Sequence, residues 1–289
     1  MEMKYIKKIK ANLAIYTRKK TSNILEGTYN SIYKGRSMNF EDLREYVIGD
    51  DIKDIDWKAS ARSNKILIKQ YVAEKKHNIL FVLDTGKKML ADTKELESKK
   101  EVALMTVGTI AYLINKHGDS ISAIYKGKEN IRFFPFQTGL YNIEKILNYY
   151  DKEIDTENEL ETLLDYVMKN IKRKMIVFII TDIDGINRLS DRTLKRISLK
   201  HDVMMVNISD ALMTGNNTFD IEQENYIPDY ILEDEKLKDI EIQIKNQIYK
   251  NIKEKLKKYN IIITTINKQK DIVKDVYKLL ERRKNANIY

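Results

Sequence analysis

The sequence contains no cysteine, and it has only two prolines and one tryptophan among its 289 residues. The absence of cysteine excludes a disulfide framework, a zinc site built on thiolates and a cysteine nucleophile. It also agrees with a reducing compartment, and we expect the protein to be cytoplasmic.

Long hydrophobic runs are missing as well. The longest apolar stretches are residues 79–83 and 175–180, far short of the roughly 20 residues that a membrane-spanning helix requires. The first ten residues mix lysines with apolar residues and lack the continuous apolar core of a secretory signal. We therefore expect no transmembrane segment and interpret the apolar stretches as buried strands.

The short motifs that mark common catalytic sites are absent too. The sequence has no Gly-x-Ser-x-Gly elbow, no Gly-x₄-Gly-Lys-Ser/Thr phosphate loop and no Gly-x-Gly-x-x-Gly dinucleotide turn. The three histidines, His77, His117 and His201, are not spaced as metal ligands. We therefore expect that the protein is not an enzyme.

Charge is abundant, with 33% charged residues and a net charge of +9. Residues 1–36 carry nine Lys and Arg against two Glu, and residues 268–289 carry seven against three acids. One interpretation of these basic ends is a membrane-surface or nucleic-acid binder. We favour solvated helix faces in a lysine-rich protein, and we expect no specific nucleic-acid partner.

From residue 76 onward, apolar runs alternate with amphipathic stretches of helical period. The pattern predicts strands at 79–84, 120–125, 131–134, 175–181, 203–208 and 261–265, and helices at 95–116, 140–150, 157–172, 191–200, 236–259 and 271–283. This alternation predicts an α/β, Rossmann-type fold with a mostly parallel sheet and helices on both faces. Residues 1–75, with a helix at 3–16 and a strand near 66–72, are predicted to form a small, partly β attachment to a domain of residues 76–289.

Two of the predicted strands end in acidic residues. Asp84 follows the run at 79–83, and Asp182 follows the run at 175–181. The carboxyl ends of parallel strands meet at one edge of the sheet, where ligands bind in this class of fold. Two carboxylates with nearby hydroxyls at that edge suit a hard divalent cation such as Mg²⁺ or Ca²⁺.

These strand ends resemble those of a von Willebrand factor A domain. The stretch upstream makes the resemblance more specific. Its residues are Gly35, Phe40, Arg44-Glu45-Tyr46, Gly49-Asp50-Asp51, Ile55-Asp56-Trp57 and Ala61-Arg62. With Asp84, this pattern resembles the bacterial domain-of-unknown-function family fifty-eight, von Willebrand A-like proteins commonly encoded beside MoxR-type AAA+ ATPases. The resemblance implies a von Willebrand A-like fold and a protein partner, a MoxR-type AAA+ ATPase.

The resemblance also implies a metal-ion-dependent adhesion site, from which this sequence departs. Asp84, Thr156 and Asp182 match metal ligands, but Gly86 and Lys88 stand at the two positions where serine is usual. We expect a degenerate site in which the ammonium of Lys88 lies between the two aspartates in place of a metal. Weak Mg²⁺ binding stays open, because Mg²⁺ keeps several of its waters.

A second acidic cluster lies upstream, at Asp50, Asp51, Asp54 and Asp56. One interpretation is a metal-dependent hydrolase or nuclease that binds Mg²⁺ through these carboxylates. We favour a structural interpretation, in which the acids pair with Arg44 and Arg62 to fix a turn. In that interpretation Trp57 packs the cluster onto the main domain.

The function that we expect from the sequence is a non-enzymatic protein-interaction module. By the resemblance, it is an adaptor that acts with a MoxR-type AAA+ ATPase and makes contact through the carboxyl edge of its sheet. The segment around residues 44–62 offers a second contact surface. Its candidate protein-binding residues are Arg44, Asp50, Asp51, Asp56, Trp57 and Arg62.

Overall fold

The computed structural model describes residues 3–17, 42–70, 76–154, 159–214, 219–220, 225–227 and 235–286. The strands in these ranges are β1 (Asp42–Glu45), β2 (Leu67–Gln70), β3 (Asn78–Leu83), β4 (Ser120–Lys126), β5 (Ile131–Gln137), β6 (Ile176–Thr181), β7 (Asp202–Ile208), β8 (Phe219–Asp220), β9 (Asn225–Tyr226) and β10 (Ile262–Ile266). The α-helices are α1 (Lys4–Thr17), α2 (Trp57–Ser63), α3 (Lys99–Lys116), α4 (Leu140–Glu153), α5 (Leu160–Asn170), α6 (Ile183–Arg188), α7 (Asp191–Lys200), α8 (Glu235–Lys257) and α9 (Ile272–Ala286).

A six-stranded sheet organises the larger part of the structure, with the strand order β10–β7–β6–β3–β4–β5. Neighbouring strands are parallel except β4 and β5, which form an antiparallel hairpin at one edge. The chain winds outward from β3 in one direction and from β6 in the other, so the strand order reverses between these two strands. The predicted α/β, Rossmann-type fold with a mostly parallel sheet is therefore confirmed.

Helices cover both faces of this sheet, because its strands carry apolar side chains on both sides. β6 is buried along its whole length, and β3 along all but its first residue. Phe81 of β3 stacks on Phe178 of β6, with ring centroids 5.5 Å apart. α1, α3, α4 and α9 pack on one face, and α5, α6, α7 and α8 pack on the other.

α1 contributes to the core of this larger part, although its residues fall within the predicted attachment. Ile6 and Ile9 are buried in the same cluster as α3 and α4. The N–H groups of Tyr5 and Ile6 donate to the two carboxylate oxygens of Glu144 at 3.0 and 2.9 Å. This carboxylate satisfies donors that a helix start leaves unpaired and complements the helix dipole. Gly108 of α3 permits the close approach, since a β-carbon there would lie 2.3 Å from Cδ1 of Ile9.

Residues 42–70, called the small unit below, are built around the antiparallel pair of β1 and β2. A short 3₁₀ helix at Ile52–Asp54 and then α2 connect the two strands. Ile55 bridges back to Ile68 of β2, and both of these side chains are buried. The strand predicted near residues 66–72 is therefore present, as β2.

The predicted elements of the large sheet and its helices are present, with shifts at some helix starts. The helix predicted from residue 95 begins at Lys99, because the Ser98 hydroxyl caps it by accepting the N–H of Glu101. The sequence pattern does not predict α6, which Asp182 caps by accepting the N–H of Gly185. The β8 and β9 pair lies between the strand predicted at 203–208 and the helix predicted at 236–259, where the pattern predicts no element. No helix in the described ranges combines the length and apolar character needed to cross a membrane.

Candidate functional site

Three aspartates lie beyond three neighbouring strands at the carboxyl edge of the large sheet. Asp84 follows β3, Asp182 follows β6, and Asp210 lies two residues beyond β7. The structure thus places both acids predicted from the sequence, Asp84 and Asp182, at this edge. They flank the point where the strand order reverses, which is where doubly wound sheets bind their ligands.

Asp84 is buried, and neighbouring groups of the protein hold its carboxylate. Oδ2 accepts from the hydroxyl of Thr181 at 2.5 Å, and Oδ1 accepts from the N–H of Gly86 at 2.8 Å. The hydroxyl of Tyr150 donates to the carbonyl oxygen of Asp84 at 2.8 Å. Burial raises the pKa of Asp84, and the hydrogen bonds from Thr181 and Gly86 oppose this shift. Asp84 is therefore tied to its own turn, to β6 and to α4.

The cation at this edge is Lys99, the first residue of α3. Its side chain is fully buried, and Nζ donates to Asp182 Oδ2 at 2.8 Å and to Asp210 Oδ1 at 2.5 Å. Burial lowers the pKa of Lys99, but the two carboxylates outweigh burial, and the pKa lies above its ordinary value. Burial raises the pKa of Asp210. We call Asp84, Lys99, Asp182 and Asp210 the Lys99 cluster. Within it, the ammonium pairs with Asp182 and Asp210, whose charges would be strongly unfavourable without this partner.

Lys88 does not take the position that the sequence predicts for it. Its Nζ donates to Asp184 Oδ2 at 2.9 Å, and Arg188 pairs with the same oxygen at 2.8 Å. The prediction that Lys88 lies between Asp84 and Asp182 is therefore wrong. It is wrong because the ammonium of Lys99, on α3, already pairs with Asp182.

The residues at this edge do not fit a metal site of the kind that the resemblance implies. Gly86 offers no side-chain oxygen, and the carboxylates of Asp182 and Asp210 already hold the ammonium of Lys99. Thr156, the third predicted ligand, lies outside the described residues. Among the residues that the structure does describe, no group of three or more His, Cys, Asp or Glu side chains is arranged to hold a metal ion, whereas Mg²⁺ requires about six oxygen ligands.

Sequence reasoning misses two members of the Lys99 cluster. Asp210 follows a predicted strand, so the rule that identifies Asp84 and Asp182 also finds Asp210 when it is applied to every strand. Lys99 carries no comparable signal, because it is one of several lysines near the start of a predicted helix. Its burial depends on where α3 begins relative to the sheet.

The acids of the small unit fix its local backbone. Asp50 accepts from both terminal nitrogens of Arg44 at 2.7 Å and from the N–H of Val47 at 3.0 Å. The hydrogen bond from Arg44 holds the pKa of Asp50 below its usual value. Asp51 accepts an N–H at the start of the 3₁₀ helix, and Asp56 accepts two at the start of α2. These contacts agree with the structural interpretation of the cluster.

Other expectations for the small unit do not hold. The pairing predicted for Arg62 is not seen among the described residues, and Arg62 is exposed near the end of α2. The side chain of Asp54 lies outside those described. The prediction that Trp57 packs onto the main domain is wrong, because its side chain is 65% exposed at the start of α2.

Trp57 is one of several large apolar side chains that the small unit presents to solvent. We call them the exposed apolar group: Leu43, Val47, Ile48, Ile52, Trp57 and Ile66. Ile48 is 96% exposed, so its side chain makes almost no contact within the chain. Apolar residues concentrated in one exposed segment are typical of an interaction surface.

Comparisons with known proteins identify relatives of this chain. A family model described as "Protein of unknown function DUF58" matches residues 42–214, which include the small unit and the sheet as far as β7. The uncharacterised protein Mb1516 of Mycobacterium bovis is 22% identical over 203 residues, which cover 68% of this chain and 63% of that protein. Rv1480 of Mycobacterium tuberculosis, also uncharacterised, matches with the same values. The chain thus spans 63% of the length of these curated relatives.

Solved structures similar to this chain have low sequence identity to it. BatB from Bacteroides thetaiotaomicron is 11% identical, with a TM-score of 0.45 over 72% of this chain and 99% of that chain. An aerotolerance-related membrane protein from Bacteroides fragilis is 12% identical, with a TM-score of 0.44 over 71% and 99%. A von Willebrand factor type A structure from Catenulispora acidiphila is 9% identical, with a TM-score of 0.42 over 75% and 44%.

Proposed function

The chain belongs to the DUF58 family, and from this premise we propose that it is a non-enzymatic protein-interaction module. In this proposal its partner is a MoxR-type AAA+ ATPase. The two proteins meet in the cytoplasm, where the ATP that such a partner consumes is available. The resemblance of residues 35–88 to proteins encoded beside these ATPases supports the choice of partner.

The observation that carries the proposal is the exposed apolar group of the small unit. Trp and Arg are the residue types that most often dominate the binding energy of interfaces. Trp57 and Arg62 lie on the same short helix, α2, and both are exposed. We propose Trp57 as the anchor that enters a pocket of the partner and Arg62 as a charged contact beside it.

The Lys99 cluster supports a mode of contact that needs no metal ion. The ammonium of Lys99 pairs with both Asp182 and Asp210 within the chain. We propose that this pairing holds the loops at the carboxyl edge of the sheet in place without a divalent cation. Binding to the partner is expected to survive a chelator.

The rival functions receive less support from the described residues. Asp50, Asp51 and Asp56 are engaged by Arg44 or by backbone N–H groups, which favours local structure over a hydrolase or nuclease site. The apolar side of α1 is buried against the core, so this helix does not offer that side to a membrane surface.

Biolayer interferometry tests the proposal, with the purified chain and the MoxR-type ATPase encoded in the same genome, immobilised without nucleotide. We expect saturable binding that persists in EDTA and weakens at least about tenfold in Trp57→Ala. Tyr141→Ala is the control, because Tyr141 is an aromatic residue of 59% exposure outside the small unit. No binding by the wild-type chain, or equal weakening by both variants, rejects the proposal.

A further inference from the structure

A cavity of about 310 Å³ opens at the carboxyl edge of the sheet, beneath α8. Asn207 of β7 and Thr265 of β10 form its floor, and its apolar walls include Ile183, Leu212 and Tyr249. Its volume and mostly apolar lining, with a few polar groups, are those of a small-molecule site. It lies beside the Lys99 cluster but requires neither the proposed partner nor the proposed mode of contact.

The floor of the cavity departs from the pattern of the two strands that form it. β7 and β10 are parallel neighbours in which Met205 pairs with Ile263, and two residues further on Asn207 pairs with Thr265. Side chains two residues apart in a strand point to the same face, and Met205 and Ile263 are buried in the core of that face. Polar residues therefore replace apolar ones at the point where the strands reach the cavity.

Asn207 has an unused hydrogen-bond acceptor in this floor. The side chain is 4% exposed, and Nδ2 donates to Thr265 Oγ1 at 3.2 Å. Its Oδ1 is buried and has no hydrogen-bond partner among the described residues. Buried carbonyl oxygens of this kind are normally satisfied, because an unmade hydrogen bond carries the full cost of desolvation. A ligand in the cavity that carries a hydrogen-bond donor would satisfy Asn207 Oδ1.

Two of the charged groups at the cavity, Lys245 and Asp210, leave the same requirement. The ammonium of Lys245 donates to the carbonyl of Ala211 at 2.6 Å and pairs with Glu241 at 2.7 Å. Asp210 also lines the cavity, and its carboxylate is a further acceptor beside Lys99. The part of the cavity at Asn207 and Asp210 therefore favours a ligand that donates hydrogen bonds over one that accepts them.

We propose that this cavity binds a small ligand with a flat or aliphatic apolar body and an N–H donor, which hydrogen-bonds to Asn207 Oδ1. The volume corresponds to about ten water molecules, which sets the ligand at on the order of ten non-hydrogen atoms. The apolar body packs against Ile183, Leu212 and Tyr249. An apolar body with an N–H donor is present in free amines and amides and also in a side chain of a bound peptide.

Indole tests the proposal, because it has an apolar bicycle with a single N–H. Benzofuran is the matched probe, since it has nearly the same shape but carries an acceptor oxygen in place of the N–H. Isoleucine-methyl NMR titration of the wild-type chain reports both binding and its location through Ile183 and Ile242, which line the cavity. We expect saturable shifts at these methyls and about tenfold weaker binding of benzofuran.

A variant pair tests the role of the floor. Asn207→Leu removes the acceptor and is expected to weaken indole binding about tenfold while leaving benzofuran binding within about twofold. Thr264→Val is the control, because Thr264 is buried in the neighbouring strand β10 but faces α9, where its hydroxyl donates to the carbonyl of Asp275. An N-acetylated tryptophan amide, compared with indole, distinguishes a peptide side chain from a free ligand.

Two results overturn the proposal. Absence of shifts at Ile183 and Ile242 in the wild-type chain at millimolar indole means that the cavity holds only water. Equal or tighter binding of benzofuran means that Asn207 Oδ1 does not select a donor. Neither result depends on the folding of Asn207→Leu.

Discussion

The ammonium of Lys99 donates to the carboxylate of Asp182 at 2.8 Å, although 83 residues separate the two in sequence. Lys99 is the first residue of α3, and Asp182 lies at the end of β6. The chain thus supplies its own cation at the position where the strand order of the sheet reverses.

Replacing Lys99 with methionine is expected to lower the free energy of unfolding by about 3–5 kcal/mol. The physical reason is that the variant leaves Asp182 and Asp210 buried without the ammonium that both of them contact. Urea denaturation followed by circular dichroism measures this change.

Lys88→Met is the matched control for that experiment. The pair that Lys88 forms with Asp184 is partly exposed, with 36% and 33% of the two side chains accessible. Its removal is expected to cost less than about 1 kcal/mol. A larger loss in Lys88→Met than in Lys99→Met would show that Lys99 is not the cation that holds the sheet edge.

Divalent cations are expected to bind only when Lys99 is removed. In Lys99→Ala, the carboxylates of Asp182 and Asp210 lose the ammonium that both of them contact, and oxygen ligands of this kind suit Mg²⁺ and Mn²⁺. Thermal denaturation in millimolar Mn²⁺ is expected to raise the Tm of Lys99→Ala and to leave the wild-type Tm unchanged.

Calorimetric titration of the wild-type chain with Mg²⁺, Mn²⁺ and Ca²⁺ tests the opposite possibility, that the wild-type chain itself binds a divalent cation. Saturable heat that disappears in Asp84→Ala would contradict the assignment of Lys99 as the built-in cation. That result would indicate that a metal ion binds at the site, as the resemblance to von Willebrand A domains implies.

Stability is expected to fall as the pH drops from about 6.5 to about 4, because of His201. His201 is 3% exposed, and burial, with a smaller effect of the Lys200 charge, lowers its pKa from 6.5 to about 4. In this pH window the unfolded state binds a proton that the folded state does not, so the free energy of unfolding decreases by up to about 3 kcal/mol.

The same measurement on His201→Leu checks the cause. Neither ring nitrogen of His201 has a hydrogen-bond partner among the described residues, so the apolar replacement removes no hydrogen bond of the imidazole. Urea denaturation at several pH values is expected to give a flatter dependence between pH 6.5 and 4 for the variant. Identical dependences for the two proteins would assign the effect to other groups.

Trp57→Ala is expected to weaken partner binding without changing stability. Because the side chain is 65% exposed, its removal should alter the free energy of unfolding by no more than about 0.5 kcal/mol. Urea denaturation of the variant, run beside the interferometry experiment, separates the two effects. A loss of several kcal/mol would show that Trp57 has a structural role and would remove it as a candidate anchor.

The sequence alone determines the fold class and the location of the site. The apolar runs at β3 and β6 predict buried strands, because only a sheet covered on both faces accommodates such runs. Asp84 and Asp182, which follow these runs, are predicted at one edge because the carboxyl ends of parallel strands meet there. The resemblance around residues 35–88 identifies the family, which the match to residues 42–214 confirms.

Only the tertiary structure decides which groups meet at that edge. The sequence offers Lys88, four residues after Asp84, but the buried ammonium belongs to Lys99, whose distance to Asp182 is set by where α3 begins over the sheet. The exposure of a side chain is also decided by the tertiary structure. Nothing in the sequence around Trp57 shows that this side chain faces solvent. Periodicity and spacing report contacts within one element, whereas charge pairing and burial depend on elements that are far apart along the chain.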